Sequence, residues 1–178
     1  MEERQGLIKN LNKIYKNGYV PSRGTKAYDK ISTLTVNCYG HACFNLTDKN
    51  LAELAPYGSE LKAYFRNFAS TFTGAFNEAV RRIRDVGLIV ERSNLSEELK
   101  ENQWRFAYYY KDDEFTGRDL HFMIQEKDGK WASKMGTSPN VEVFDKLPEY
   151  FHGEYELMGV YKVTNPYVKL EDEENMEM

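Results

Sequence analysis

The hydrophobic pattern of this chain changes its period once, across the polar stretch from Ser93 to Asn102, and this change constrains the fold more than any other feature. Before the stretch, apolar residues recur at the spacing of helices. After it, they recur at every second position, as on one face of a β-strand. Helices followed by an antiparallel sheet define the α+β class, which we predict for this chain of 178 residues, long enough for one core.

The helical spacing predicts several helices. The first is amphipathic, from Leu7 to Tyr15, and stops at Asn17-Gly18. A less regular helix is expected to begin at Cys38, because an Asn residue in the preceding position is a good N-cap. Two consecutive amphipathic helices are predicted from Ser59 to Val86, with a break at Thr73-Gly74.

The alternating segments predict strands over Trp104–Tyr110, Asp119–Glu126, Trp131–Met135 and Tyr155–Val163. The segment Ile31–Val36 is either a further short strand or an extended approach to Cys38. The alternating aromatic residues of the first strand could stack on nucleic-acid bases, but such stripes are more often core. We predict that they are core.

Composition limits the domain organisation and the partners. We expect one α+β domain over residues 1–169, with a helical insertion at about 50–100, and an acidic flexible tail over 170–178. The net charge of −4 gives no field that attracts nucleic acid or a membrane surface. The basic run Arg81–Arg84 is expected to be a solvated helix face. With no signal peptide at its start, the chain is expected to be cytoplasmic, with a protein or peptide as substrate or partner.

Cys38 is the best-placed nucleophile. A thiol at the start of a helix has its thiolate stabilised by free N–H groups, although most free cysteines are small buried hydrophobes. Cys43 is more than one turn further on and is assigned to the core. His41 is a second choice as base, because residues three apart on a helix project side by side.

His121 is the preferred base, and the turn after its strand decides which residue orients its ring. A two-residue turn would place Lys134 on the face of His121, whereas a three-residue turn with Gly129 in the left-handed conformation would place Ser133 there. The sequence Glu-Lys-Asp-Gly-Lys favours the second. Asn140 is the alternative orienting residue, since amides serve this role in other Cys-His enzymes.

Four short motifs suggest a family: Asn37-Cys-Tyr-Gly-His-Ala42, Asp119-Leu-His-Phe122, Asp128-Gly-Lys-Trp131 and Lys134-Met-Gly136. Their order resembles bacterial and phage proteins related to the papain-like and NlpC-type cysteine peptidases, over residues 35–136. The resemblance implies a nucleophile at Cys38 and a base at His121. The chain departs from it at Ser133, where the family pattern Trp-Ser-His-Lys has a second histidine.

The predicted function is that of a thiol-dependent acyl hydrolase or transferase, similar to a peptidase or amidase. The alternative is a non-catalytic interaction or inhibitor protein on the same scaffold, binding a host or partner protein. No cofactor or metal is expected. Nucleotide-binding and zinc-protease motifs are absent from the sequence, and Cys38, His41 and Cys43 lie too close in sequence to complete a tetrahedral site readily.

Overall fold

The structure, a computed structural model, describes residues 2–19, 38–44, 72–115, 117–135 and 140–171. The predicted segment Ile31–Val36, the helix predicted from Ser59 and the tail beyond Glu171 lie outside these residues. The described elements are helices α1 (Glu2–Lys16), α2 (Cys38–Cys43) and α3 (Phe72–Asp85) and strands β1 (Ile89–Arg92), β2 (Gln103–Asp113), β3 (Gly117–Gln125), β4 (Trp131–Lys134), β5 (Val141–Phe144), β6 (Tyr150–Phe151) and β7 (Tyr155–Thr164).

The described strands form one antiparallel sheet in the order β1-β7-β2-β3-β4-β5, and the short β6 pairs with β7. Strand β2 lies between β7 and β3, and its residues from Gln103 to Tyr109 are buried in succession. Such continuous burial is typical of a strand covered on both faces. The predicted α+β class is confirmed.

The segment predicted as a helical insertion is not helical throughout. After α3, the chain turns at Gly87, whose φ of +94° favours glycine, and β1 then pairs with β7 as an edge strand. Only Val90 of its four residues is buried, so its alternation is too short to be recognised. Helix α3 also starts earlier than predicted: Thr73 and Gly74 lie within it and do not interrupt it.

The basic run on α3 is only partly a solvated face. Arg81 is half exposed and forms ion pairs with Glu78 and Asp85. Arg82 is buried, and its guanidinium lies 3.0 Å from the carboxylate of Glu78. Helical spacing predicted the direction of Arg81, but not that a neighbouring carboxylate would allow Arg82 to be buried.

The hairpin between β3 and β4 has the predicted three-residue turn. Gly129 has a φ of +88°, and the N–H of Glu126 donates to the carbonyl of Lys130 at 2.7 Å. Met123 consequently pairs with Ser133. Since side chains directly opposite each other share a face, Ser133 lies on the face of Met123 and His121.

The two faces of the sheet carry separate apolar clusters. The helix-side core joins the α-helices to one face and includes Tyr39, Ala42, Cys43, Trp104, Phe106, Tyr108, Leu120, Phe122, Ile124 and Ala132. The second cluster, on the opposite face, consists of Ala107, Tyr109, Met123, Trp131, Phe151 and Tyr155. The aromatic stripe of β2 is therefore core, as predicted.

Helix α2 has only six residues and is fixed by side chains from outside it. The indole N–H of Trp104 donates to the carbonyl of Cys43 at 3.1 Å, and the hydroxyl of Tyr15 donates to the carbonyl of Phe44 at 2.5 Å. The hydroxyl of Tyr39 donates to the carbonyl of Ala79 on α3 at 2.7 Å. The first two bonds satisfy carbonyls at the end of α2 that the helix cannot pair by itself, and the third joins α2 to α3.

Replacing Trp104 by Phe removes the donor to Cys43 while keeping an aromatic ring. We expect Trp104→Phe to lower the free energy of unfolding by about 2–4 kcal/mol, from a buried carbonyl that loses its donor and from lost volume. Urea denaturation measures this. The control is Tyr150→Phe, at an exposed ring, for which we expect a change within about 0.5 kcal/mol. Equal effects of the two variants would contradict the anchoring role of Trp104.

Candidate functional site

Of the two thiols, only Cys38 keeps some exposure to solvent. It is the first residue of α2, as predicted, and packs half-buried against the helix-side core. Cys43 is fully buried, and burial raises the pKa of its thiol well above the usual value. The assignment of Cys43 to the core is confirmed.

Strand β3 pairs with β2 along its length on one side, and with β4 only near its end on the other side. Strand β2 pairs with it from Ile124 to Gly117. In the described part of the chain, β4 pairs with it only from Met123 to Gln125. Residues 117–122 of β3, which we call the open edge, are thus where the two faces of the sheet meet.

Cys38, when ionised, affects the pKa values of groups from both faces of the sheet. Burial lowers the pKa of Lys134, and the charge of Cys38 opposes this shift. Burial raises the pKa of Tyr155, and the charge of Cys38 adds to that rise. Lys134 follows Ala132 on the helix side, whereas Tyr155 belongs to the second cluster. Helix α2 packs on β3, and the ring of Tyr39, the residue after Cys38, lies 5.4 Å from that of Phe122, so Cys38 lies on the helix side near the open edge.

Lys134 is a lysine with no exposed surface. It alternates with Ser133 along β4 and so projects toward α2, which packs against β3 and β4. Burial lowers the pKa of its ammonium to about 8, and the Cys38 thiolate opposes this shift. With that pKa, most of the population carries the positive charge at neutral pH.

The structure brings His121 and Ser133 together. The imidazole Nε2 lies 2.7 Å from the Ser133 Oγ, a hydrogen bond between buried groups. The ring is stacked on Phe151, with centroids 4.7 Å apart and planes 8° apart. Asn140, the alternative orienting residue, is exposed just before β5. The pairing of His121 with Ser133 follows from the register of the hairpin.

Tyr155 and Asp119 extend this group of polar residues. The Tyr155 hydroxyl donates to Asp119 Oδ2 at 2.8 Å, and the Tyr155 ring lies 5.8 Å from the His121 ring. Burial, followed by the Asp119 carboxylate, raises the pKa of Tyr155, so it stays a neutral donor at physiological pH. Tyr155 is therefore the residue on the His121 face that also responds to Cys38.

His41 is a buried residue of α2 itself. Burial, followed by the charge of Lys134, lowers the pKa of its imidazole to about 3. A group with so low a pKa is a weak base at neutral pH. His41 is thus less suited to activating Cys38 than its position in the sequence suggested.

No three His, Cys, Asp or Glu side chains among the described residues are grouped so as to hold a metal ion. No helix in that part of the chain is both long and apolar enough to cross a membrane. No protein-family model, curated protein or solved structure matches this chain. The site therefore has to be interpreted from its own chemistry.

Sequence reasoning missed the roles of Tyr155 and Lys134. Tyr155 was recognised only as the first residue of the last strand. Lys134 was considered only for the turn that the chain does not form. Alternation in Trp131-Ala-Ser-Lys134 would have placed Lys134 on the face opposite Ser133, toward the helices, once the three-residue turn was chosen.

The Ser133–His121 hydrogen bond has a measurable energetic signature. We expect Ser133→Ala to lower the free energy of unfolding by about 1–2 kcal/mol, because a buried imidazole loses this bond. In a His121→Phe background, which keeps a ring on Phe151, the same substitution should cost much less. Urea denaturation of the double-mutant cycle gives the coupling energy. Equal costs in both backgrounds would show that the bond contributes nothing.

The low pKa of His41 makes stability depend on pH. In the folded state the ring stays neutral down to about pH 3, whereas in the unfolded chain it takes up a proton below its usual pKa of 6.5. The unfolded state thus binds more protons between these values, and stability falls as pH falls, by up to about 1.4 kcal/mol per pH unit for one proton.

The variant His41→Leu has no such proton to bind. Its free energy of unfolding, measured in urea between about pH 4.5 and 6.5, should fall with decreasing pH less steeply than that of the wild type. Parallel slopes for wild type and His41→Leu would exclude a neutral buried His41.

Proposed function

We propose that the protein is a thiol-dependent acyl hydrolase or transferase of peptidase or amidase type, with Cys38 as nucleophile and His121 as base. The observation that carries the proposal is the position of Cys38, a partly exposed thiol at the start of the helix that packs against β4, the strand of the buried Lys134. A thiolate near a cation is the usual form of a reactive cysteine.

In the proposed reaction, Cys38 Sγ attacks the carbonyl carbon of an amide, peptide or thioester. The S–C bond forms, and the thiol proton reaches His121, which lies on the opposite face of the sheet, by way of the substrate or a water molecule at the open edge. The imidazolium then protonates the leaving amine or thiol as the C–N or C–S bond breaks. Water, or an acceptor amine, then cleaves the acyl-enzyme and restores the thiol. We assign oxyanion binding to the backbone N–H of Cys38, since the first N–H groups of a helix point out of it.

The surroundings of His121 support its role as base. Ser133 fixes the ring through Nε2, and Phe151 fixes its plane by stacking. The ring of Tyr155, whose pKa is raised in part by the charge of Cys38, lies 5.8 Å from the same imidazole. These contacts limit the orientations of the ring, as a base in an acyl-transfer site requires.

Thiol labelling tests this proposal before any substrate is known. We expect iodoacetamide to modify Cys38 at least about tenfold faster than Cys43 near neutral pH, because only Cys38 is partly exposed and near a cation. Mass spectrometry of the separated peptides measures both rates. Cys38→Ala should then abolish turnover in a panel of peptide, amide and thioester substrates, whereas Cys43→Ala should retain it. Slow and equal labelling of both thiols, or full turnover by Cys38→Ala, would refute the proposal.

A second candidate function is an interaction protein on the same scaffold, binding a partner protein. The observation in its favour is Phe115, which is 96% exposed at the turn between β2 and β3. An aromatic side chain at the tip of a hairpin is a typical anchor for a partner. This function predicts that Phe115→Ser weakens partner binding while Cys38→Ala leaves it unchanged.

A further inference from the structure

Lys134 is the only charged residue of β4, and its side chain points toward α2. Its neighbour Ala132 belongs to the helix-side core, and Ser133 between them faces the other way. The hairpin register, which pairs Met123 with Ser133, sets Lys134 across from Phe122. The Phe122 ring in turn lies 5.4 Å from the ring of Tyr39, the residue after Cys38. The hairpin therefore brings Lys134 to the start of α2.

Burying the charged ammonium of Lys134 lowers the stability of the fold unless an opposite charge lies near it. Moving an ammonium out of water is unfavourable, and buried lysines respond by losing their proton. Here the thiolate of Cys38 acts against that loss. Because electrostatic coupling is reciprocal, the Lys134 ammonium must favour the thiolate of Cys38 to the same extent.

We propose that Lys134 is a positioning residue for Cys38, whose buried ammonium holds the nucleophile as its thiolate in the resting protein. This inference deepens the proposed function and rests on it for its biological meaning. It gives the protein a nucleophile that is already charged before the substrate arrives. The proton that His121 gives to the leaving group then comes from solvent, because the thiol has already lost its own.

Among the described residues, the charge of Cys38 affects the pKa values of Lys134, Tyr155 and Cys43, and His41 lies three residues after Cys38 on the same helix. Lys134 approaches from β4 and Tyr155 from β7, while His41 and Cys43 belong to α2 itself. His41, with a pKa of about 3, is neutral at physiological pH, and the raised pKa values of Tyr155 and Cys43 keep both protonated there. Lys134 is thus the group among these four whose charge can favour the thiolate near neutral pH.

The test is the pH dependence of iodoacetamide labelling at Cys38 in wild type and in Lys134→Met. Methionine keeps most of the length and volume of the lysine stem but carries no charge. We expect the apparent pKa of Cys38 to rise by about one unit, so the labelling rate near neutral pH falls about tenfold. At high pH, where the thiol is fully ionised, the two rates should converge. A purely structural role would lower the rates at every pH.

The matched control is Lys130→Met, at an exposed lysine of the same hairpin that pairs with Asp145. It should leave the titration of Cys38 unchanged. An apparent pKa of Cys38 that is the same in wild type and in Lys134→Met would overturn the inference.

A second measurement does not depend on the folding of Lys134→Met. The pKa of Lys134, about 8 in this structure, can be followed by NMR of its ¹³Cε signal in wild type and in Cys38→Ser. Loss of the thiolate should lower the Lys134 pKa, and an unchanged value would also overturn the inference. Neither titration needs a substrate. If both shifts occur but Cys38→Ala retains turnover, the proposed function fails and the coupling of Cys38 with Lys134 stands.

Discussion

The arrangement of the site depends on how the end of α2 is held. A helix of six residues has too few internal hydrogen bonds to persist alone in water. Trp104 and Tyr15 supply donors to the carbonyls of Cys43 and Phe44, and both donors are buried aromatic side chains. The polar tips of these rings orient the helix while their faces form the core. The place of Cys38 relative to the open edge follows from this anchoring.

Two basic side chains, His41 on α2 and Lys134 on β4, are both buried, and this limits which of them can be charged. His41 and Lys134 influence each other, and a low-dielectric interior disfavours two positive charges close together. The imidazole has the lower intrinsic pKa and remains neutral, whereas Lys134 keeps a pKa of about 8 with help from the Cys38 thiolate. In the proposed resting state the site combines one cation, Lys134, with one anion, Cys38, which is the least costly way to keep a charge there.

The sequence predicted the class of fold and much of the local structure, and the reasons are local. The aromatic stripe of β2 followed from alternation, and the pairing of Ser133 with His121 followed from the turn around Gly129. The influence of Cys38 on Tyr155 could not be predicted, because it depends on where β4 stops and on which strand lies beside β2. Such contacts between distant segments leave no periodic signal in the chain.

In the proposed acyl transfer, the burial of His121 and the partial exposure of Cys38 assign these two residues to different steps. A neutral thiol that must give its proton to an imidazole needs that imidazole next to the sulfur before the reaction begins. The His121 ring, however, is only 2% exposed and is stacked on Phe151. A thiolate held by Lys134 has no such need in the first step. The base is then required only when the leaving group departs, and substrate bound at the open edge would lie between Cys38 and the face that carries His121. Ser133 is compatible with this division, because a neutral hydroxyl orients the ring without adding a second cation near Lys134.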